Sequence, residues 1–299
     1  MNIFMTGAAG YIGGTVAVRL IEAGHRVRGL VRDPAKAASL EKLRIEPVAG
    51  TLDDVAVLTR EAQRADGVIS AASSDHALSV RTLIAALTGS GKPFLHTSGS
   101  SVIGDDARGN RVSATIFDET TPFVVPPARQ PRRDLDLAVM YAIENGVRSG
   151  IICPSLIYGI GRGVNPNSVQ VPFLVNNARS QGVVQVVGQG VNRWSNVHID
   201  DVAELYRLAL EKAPAGAFYF AENGETSFEE IGAAIATRLG LGAVQPLAAE
   251  AAAAKWGEGK AYFTFGSNSR VRARRARSEL GWAPRHASVI DWIRSEMPV

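Results

Sequence analysis

The sequence predicts an α/β fold in which a doubly wound parallel sheet carries helices on both faces and is followed by a smaller C-terminal domain. Two observations lead to this fold class. Short apolar runs alternate with amphipathic helical segments through the N-terminal half, as strands and helices do around a parallel sheet. Hydrophobic residues also make up 46% of the 299 residues, which is enough to fill a core of that size and excludes a mostly disordered chain.

The N-terminal half alternates most regularly. Its clearest helix start is Asp33 followed by Pro34, since an aspartate caps a helix well and proline fits the first turn. The predicted strands are residues 2–6, 25–32, 45–48, 67–71 and 93–97. The predicted helices between and after them are residues 15–23, 33–43, 53–62 and 79–87.

The C-terminal half is less regular. Prolines make residues 104–130 a predicted loop, and glycine with asparagine does the same for residues 159–167. The predicted strands are residues 147–154, 197–199 and 217–220. The predicted helices are residues 132–145, 200–212, 228–239, 250–255, a basic helix over 269–280, and 289–296.

Composition narrows the functional classes. The net charge is only +3 and the arginines are scattered, apart from a cluster within residues 270–277, so charge gives no argument for nucleic-acid binding. The single Cys153 excludes an intrachain disulfide and a cysteine-based zinc cluster.

No apolar run is long enough for a membrane helix and no signal peptide is apparent, so a cytoplasmic protein is expected. His198 and Asp200 are expected to join a strand to the next helix, and no metal site is expected.

The segment after the first predicted strand is TGAAGYIG, residues 6–13, with glycine at positions 7, 10 and 13. A glycine-rich turn between a strand and a helix lets backbone amides approach a pyrophosphate, and the helix N-terminus adds partial positive charge. The pattern therefore predicts a dinucleotide site here, with a glycine turn that binds no ligand as the alternative.

This T-G-x-x-G-Y-I-G segment resembles the short-chain dehydrogenase/reductase superfamily, in particular its extended and atypical branches, the epimerase/dehydratase-like proteins. Five further segments resemble motifs of that family in the same order. They are GTLDD (50–54, for G-D-L-x-D), TSGSSVIG (97–104, for T-S-S-x-x-V-Y-G), CPSLIYG (153–159, for R-P-x-x-V-Y-G), WSNVHIDDV (194–202, for F-V-H-V-D-D-V) and ELGWAP (279–284, for L-G-W-x-P). The resemblance spans nearly the whole chain and implies a Rossmann fold that binds a nicotinamide dinucleotide.

The resemblance also implies how the chain is divided. Residues 1–158, with residues 195–221 returning to them, are expected to form the NADP-binding Rossmann domain. Residues 159–194 and 222–299 are expected to form the substrate-binding domain. The residues that the resemblance implies for cofactor binding, besides those at the second strand, are Gly7, Ala9, Gly10, Tyr11, Ile12, Gly13, Leu52, Ala71, Ala72, Ser98, Pro154, Ser155 and Leu156.

The end of the second predicted strand favours NADP over NAD. An acidic residue there binds a ribose 2′-hydroxyl, whereas arginine accommodates a 2′-phosphate. Arg32 occupies the strand end and Lys36 follows in the next turn. Asp33 supports the alternative, NAD, but it also suits the helix cap before Pro34.

The catalytic pair of the resembled family, Y-x-x-x-K, is absent. The sequence has no lysine between positions 92 and 212, and none of its six tyrosines is followed four residues later by lysine. Counting back along the chain puts the two positions near Arg129 and Arg133. The family's serine aligns with Gly99 and its helix asparagine with His76, so the usual proton relay is not supported.

Four residues are candidates for the missing chemistry. Arg133 can supply the positive charge of the lysine but cannot easily act as an acid. His76 can act as a general acid or base near neutral pH, with a structural histidine as the alternative. Ser100 can bind a carbonyl oxygen or hold a water molecule. Tyr158 lies in the I-Y-G segment, which the resemblance implies is near the cofactor.

The leading hypothesis is an NADP-dependent oxidoreductase that transfers hydride between the nicotinamide and a small-molecule carbonyl. A nucleotide-sugar epimerase or dehydratase is one alternative, and a non-catalytic NADP-binding regulator is another, motivated by the missing pair. The arginines within residues 270–277 suit either a sugar diphosphate or a solvated helix. A small-molecule substrate is the expected partner, and the resemblance implies a homodimer.

Overall fold

The computed structural model describes residues 1–298. Those residues contain the strands β1 (Asn2–Thr6), β2 (Arg26–Val31), β3 (Glu46–Ala49), β4 (Gly67–Ser70), β5 (Pro93–Thr97), β6 (Arg148–Pro154), β7 (Leu156–Tyr158), β8 (Gln185–Val187), β9 (Arg193–His198), β10 (Ala217–Ala221), β11 (Glu225–Ser227) and β12 (Gln245–Leu247). Their helices are α1 (Tyr11–Glu22), α2 (Pro34–Lys42), α3 (Val55–Arg64), α4 (Ala77–Leu87), α5 (Gln130–Tyr141), α6 (Gln170–Gln181), α7 (Ile199–Lys212), α8 (Phe228–Leu239), α9 (Ala249–Trp256), α10 (Arg274–Leu280) and α11 (Val289–Ser295).

A seven-stranded sheet forms the centre of the molecule, with the strand order β10-β6-β5-β4-β1-β2-β3. Each neighbouring pair in it is parallel. From β1 the chain moves outward through β2 to β3, then returns to β4 on the other side of β1. Open parallel sheets bind ligands beyond the carboxyl ends of the strands, where the order reverses in this way. The predicted doubly wound α/β fold is therefore confirmed, and the reversal lies between β1 and β4.

The sheet is covered by helices on both sides. On one side α1 packs against α7, and on the other α4 lies between α3 and α5. All five residues of β5 are buried, as expected of a strand inside a parallel sheet that is covered on both faces. Asp33 caps α2 as predicted, because its Oδ1 accepts a hydrogen bond of 2.9 Å from the amide of Ala35. No helix within residues 1–298 has the length and apolar character that a membrane-crossing segment requires.

A second group of buried apolar side chains lies outside the large sheet. It is built around a three-stranded sheet, β11-β9-β7, and a two-stranded sheet, β12-β8, with α6, α8, α9 and α11 packed on them. Large aromatic rings fill it: Phe265 contacts Phe173, Phe228 and Trp256 at centroid distances of 5.2–5.9 Å. The strands β7, β8, β11 and β12 and the helix α6 are absent from the sequence prediction. Each of these strands has only three residues, too few for an alternating pattern to stand out.

The prediction of one basic helix over residues 269–280 is wrong in its first part, because α10 begins only at Arg274. Ser269 pairs as an isolated bridge with Trp194, and Val271 pairs in the same way with Phe117. Ser269, Val271 and Ala273 are buried, and they alternate with the arginines at positions 270, 272 and 274. A period of two indicates an extended segment, so the correct signal was present in the sequence.

The loop of residues 159–167 packs onto the first turn of α1. The Tyr11 hydroxyl donates a hydrogen bond of 2.9 Å to the carbonyl oxygen of Gly159, and the Arg162 amide donates one of 3.0 Å to Thr15 Oγ1. Gly14 meets Gly163 backbone to backbone: a Cβ atom added to Gly14 would lie 2.8 Å from the Gly163 Cα. Two glycines thus allow this loop to approach α1 closely.

We expect the substitution Gly14→Ala to lower the free energy of unfolding by about 1–2 kcal/mol, although alanine favours a helix over glycine by about 1 kcal/mol. The reason is that a rigid backbone, not a movable side chain, occupies the space of the new methyl group. The measurement is urea unfolding, with Gly259→Ala as the control, since a Cβ there meets nothing within 4 Å. A Gly14→Ala protein as stable as the parent would contradict the close contact.

Candidate functional site

A cavity of about 680 Å³ opens beyond the carboxyl ends of β1, β2 and β4. That size lies within the range of about 300–1,000 Å³ that is typical of small-molecule sites. Its position matches the reversal of strand order between β1 and β4. The residues that line it are Gly7, Ala9, Gly10, Leu30, Val31, Arg32, Asp33, Lys36, Gly50, Thr51, Leu52, Asp53, Ala71, Ala72, His76, Val164 and Asn165.

The glycine loop forms the floor of this cavity. Gly7 has a φ of +78°, and a Cβ atom there would lie 2.5 Å from the carbonyl carbon of Ala71. A Cβ on Gly13 would lie 2.2 Å from the carbonyl oxygen of Gly7. The loop is therefore folded tightly against β4 and against the first turn of α1. Gly10 is the N-cap of α1 without a side-chain cap, and the first turn contains no acidic residue, so its amides keep their partial positive charge toward the cavity.

One wall of the cavity carries the two cationic side chains that were predicted to bind the cofactor. Arg32 and Lys36 both line the cavity, and neither forms a salt bridge with another residue of 1–298. Asp33 lies between them, but its carboxylate is engaged as the cap of α2. This end of the cavity therefore presents two uncompensated positive charges beside one occupied carboxylate.

His76 belongs to the same cavity wall. Its Nδ1 accepts a hydrogen bond of 3.3 Å from the amide of Ser79, which caps α4, and its Nε2 lies 3.3 Å from Asp53 Oδ1. The residues around it follow β3 and β4. The structure thus gives His76 a capping role beside the turn of residues 50–54, among the residues that line the cavity.

A separate polar cluster follows β5. The guanidinium of Arg132 binds the carboxylate of Asp75 with two hydrogen bonds of 2.7 and 2.6 Å and donates a third, of 3.1 Å, to Ser101 Oγ. A Cβ atom on Gly99 would lie only 3.4 Å from Arg132 Nη1. Arg132 therefore fills the space beside the position where the family pattern has a serine.

Asp136 follows Arg132 by four residues on the same face of α5 and is fully buried. Its Oδ2 accepts a hydrogen bond of 2.8 Å from Ser98 Oγ, while its Oδ1 has no partner among the described residues. Burial raises the pKa of this carboxyl to about 6, against the opposing effects of the Ser98 hydrogen bond and the nearby arginines. Asp136 is thus a buried acid that titrates near neutral pH.

The register of α5 differs from the one counted along the sequence. Residues 129 and 133 were expected to take the two positions of the missing pair. Arg133 instead lies 4.9 Å from the ring centroid of Phe123, and Arg129 lies 5.1 Å from that of Phe263. The pair with a spacing of four that meets Ser98 and Gly99 is Arg132 with Asp136. An R-x-x-x-D pattern would have indicated it, but the length of the preceding loop cannot be counted reliably from sequence.

Two other candidates are buried and have hydrogen-bond partners within the protein. The hydroxyl of Ser100 lies 2.8 Å from that of Ser269. Tyr158 is 1% exposed and donates its hydroxyl proton to the carbonyl oxygen of His286 at 3.1 Å. Burial raises the pKa of that phenol, so it holds its proton. Both hydroxyl groups thus have partners within the protein, and the catalytic roles expected of Ser100 and Tyr158 stay predictions.

The remaining cofactor candidates divide into two groups. Gly7, Ala9, Gly10, Leu52, Ala71 and Ala72 line the cavity together with the two cations. Tyr11 and Ser155 instead bond to backbone carbonyls, of Gly159 and Ala221 respectively. Gly13 and Ile12 belong to the first turn of α1, whereas Pro154 and Leu156 are buried ends of β6 and β7. Val164 and Asn165 line the cavity without having been predicted, because their approach depends on the distant contact with α1.

Histidines elsewhere have structural surroundings. His96 lies inside β5, and burial lowers its pKa to about 4, so it is neutral at physiological pH. His198 accepts a hydrogen bond of 3.2 Å from the amide of Asp200 and so caps α7. Its ring stacks on that of His286 at a centroid distance of 3.8 Å and an angle of 21°. His198, Asp200 and His286 offer ligand atoms within 4.8 Å of one another, and the Nδ1 atoms of the two histidines already have partners, the Asp200 amide and Asp201 Oδ2.

The arginines within residues 270–277 are each paired with an acid. Arg270 binds Glu225 at 2.9 Å, and the other side chains make ion pairs of 2.6–3.5 Å. Those pairs are Arg272 with Glu225, Arg274 with Asp118, Arg275 with Glu279, and Arg277 with Glu222. The positive charge of this segment is therefore largely compensated.

Comparisons with known proteins agree with this architecture. Residues 3–219 match the model of the NAD dependent epimerase/dehydratase family. The chain is 31% identical over 310 residues to the uncharacterized protein C2A9.02 of Schizosaccharomyces pombe, covering 99% of each chain. It is 33% identical over 325 residues to the oxidase ucsJ of an Acremonium species, covering 95% of this chain and 92% of the relative. Among solved structures, the dTDP-glucose 4,6-dehydratase DesIV of Streptomyces venezuelae, with NAD and TYD bound, superposes with a TM-score of 0.79 at 21% identity, covering 98% of this chain and 95% of that one.

We expect Asp136→Asn to raise the free energy of unfolding at pH 7 by about 2–3 kcal/mol. The folded pKa of about 6 exceeds the ordinary value of 3.8, so the folded protein binds this proton more tightly than the unfolded chain does. Ionising Asp136 therefore costs stability progressively between about pH 4 and pH 6, and the cost is complete above that window.

The measurement is urea unfolding of variant and parent at each pH from 4 to 8. Taking the difference between the two proteins removes the opposite contribution of His96, whose lowered pKa costs stability as the pH falls. Asp134→Asn, an exposed change on the same helix, is the control and should give a flat difference. A flat difference for Asp136→Asn as well would show that Asp136 is not a strained acid.

Proposed function

Because this chain belongs to the NAD dependent epimerase/dehydratase family, we propose that it is an NADP-dependent oxidoreductase that reduces the carbonyl group of a small molecule. The observation that carries the proposal is the cavity at the carboxyl edge of the sheet, where the free amides of α1 meet Arg32 and Lys36. A helix N-terminus and two cations that face the same cavity suit a ligand with several phosphates.

The residues of the cavity fit a phosphorylated dinucleotide. The first-turn amides of α1 would hold the pyrophosphate, since no acidic residue of that turn competes for them. Arg32 and Lys36 would bind a ribose 2′-phosphate, for which a guanidinium offers two parallel donors. Asp33 would otherwise favour a 2′-hydroxyl, but its carboxylate already accepts the Ala35 amide. These contacts favour NADP over NAD.

The polar cluster after β5 supports the reducing chemistry. The chemistry that NADPH supplies when bound is a hydride for the carbonyl carbon. Arg132 would hold the carbonyl oxygen and stabilise its developing negative charge, and the hydrogen bonds that it donates to Asp75 keep the pKa of this guanidinium high. Arg132 therefore takes the electrostatic role that the sequence assigned to Arg133, but it does not give up a proton.

A proton for the new alcohol would come through Ser98. Its hydroxyl is hydrogen-bonded to Asp136, whose pKa of about 6 leaves part of the carboxyl protonated near neutral pH. Ser98 would pass its proton to the substrate oxygen and recover one from Asp136. This relay would replace the missing tyrosine and lysine with Ser98, which follows β5, and Asp136 of α5, and it assigns His76 to the cavity wall alone.

We expect Arg32→Ala to weaken NADPH binding about tenfold or more while leaving NADH binding nearly unchanged, because only NADPH carries the 2′-phosphate. The measurement is calorimetric titration of the full chain with each cofactor. The control is Arg26→Ala, an exposed arginine at the opposite end of the same strand. Equal losses for both cofactors, or none, would contradict the proposed preference.

The activity itself is tested by following NADPH oxidation with aldehydes, ketones, quinones and oxo acids. Consumption of NADPH with formation of an alcohol supports the proposal. Tight NADPH binding without any turnover would instead favour the non-catalytic regulator.

A further inference from the structure

Arg129 stands at the start of α5 with its charge uncompensated. Its Nε is buried without a hydrogen-bond partner, and it forms no salt bridge with any residue of 1–298. The guanidinium lies over the ring of Phe263, with its carbon 5.1 Å from the ring centroid, so the ring covers one face and leaves the edge with the N–H donors free. A buried donor without an acceptor lowers stability, which makes Arg129 a poor structural element by itself.

The charged groups near Arg129 affect its guanidinium as well. Burial lowers the pKa of Arg129 and the positive charge of Arg132 lowers it further, while the carboxylate of Asp75 acts in the opposite direction. Arg132 has Asp75 as a bidentate partner, and each arginine within residues 270–277 also has an acid. Arg129 differs from these arginines because no acid of the described residues forms a salt bridge with it.

We infer that the substrate is an oxo acid, whose carboxylate binds Arg129 while its neighbouring carbonyl binds Arg132. This inference rests on the proposed function and adds a substrate class to it. Residues three apart at the start of a helix lie on one face, about 5–6 Å apart at their Cβ atoms. Two arginines whose Cβ atoms are so spaced can direct their guanidinium groups at a carboxylate and a carbonyl that are separated by one or two bonds. Phe263 forms an apolar wall beside the carboxylate.

The reaction balances without a further reagent. Hydride adds to the carbonyl carbon, the π electron pair moves to oxygen, and that oxygen takes one proton. A 2-oxo acid with NADPH and one proton thus becomes the 2-hydroxy acid and NADP⁺. The carboxylate keeps its charge throughout, so Arg129 holds the same group in substrate and product.

The test compares phenylglyoxylate with its methyl ester as substrates of the NADPH-loaded full chain. The two share the reducible carbonyl and differ in the carboxylate. We expect kcat/KM of the parent protein to favour the acid by about tenfold or more, and Arg129→Gln to remove that preference by acting on the acid alone. Arg179→Gln, an exposed arginine on α6, is the control for lost net charge and should keep the preference.

Arg129→Lys is a second variant in case glutamine disturbs the fold, and it should retain a reduced preference for the acid because the charge remains. Equal use of acid and ester by the parent, or equal losses on both in Arg129→Gln, would overturn the inference while leaving the reductase standing. If no carbonyl is reduced at all, the proposed function fails. Calorimetry with phenylglyoxylate and the NADP⁺-bound protein then decides the anion site: saturable binding that is lost in Arg129→Gln but kept in Arg179→Gln supports it, and absence of binding to the parent overturns it.

Discussion

The close packing of the glycine loop is the constraint on which the rest of the site depends. Gly7 touches the backbone that follows β4, and Gly13 touches the carbonyl of Gly7, at distances that leave no room for any side chain. This packing fixes the direction of α1, and with it the line along which the first amides of the helix face the cavity. The loop of residues 159–167 then rests on the same turn through Tyr11 and Thr15. The floor of the cavity therefore follows from contacts of backbone with backbone, and one wall follows from two hydrogen bonds between side-chain hydroxyl groups and backbone.

Positive and negative side chains are distributed unevenly around the cavity. Most arginines near the site have acidic partners, as Arg132 has Asp75 and Arg277 has Glu222. Positive charge is left over at two places, the end of β2 and the start of α5. On α5 itself, the fully buried Asp136 has one carboxylate oxygen without a hydrogen-bond partner among the described residues. Uncompensated cations at the surface and a strained acid beneath them are what an anionic ligand with a reactive group requires.

Local patterns predicted the fold well and the polar cluster of α5 poorly, for reasons that individual residues make clear. The cap at Asp33 and the bounds of α8 were correct because they depend on neighbours in sequence. Residues 269–273 were misassigned because their arginines drew attention away from a strict alternation of buried and charged positions. The register of α5 missed Arg132 and Asp136 because the irregular loop before it has no period to count. Val164 and Asn165 were missed because they reach the cavity through a contact with a helix about 150 residues earlier in the chain.

The extended segment at residues 269–273 has a consequence for assembly. Its backbone bonds on one side to Arg193 and Ser195, and on the other to Phe117. Phe117 belongs to the long connection between β5 and α5, the same connection that ends in Arg129. One late stretch of chain thus closes loops of roughly 75 and 150 residues at once, and closures of that length are slow to form and contribute to a high contact order. The connection that carries Arg129 is therefore held in its native shape by the C-terminal part of the chain, so the site is complete only in a molecule whose residues 269–273 have docked.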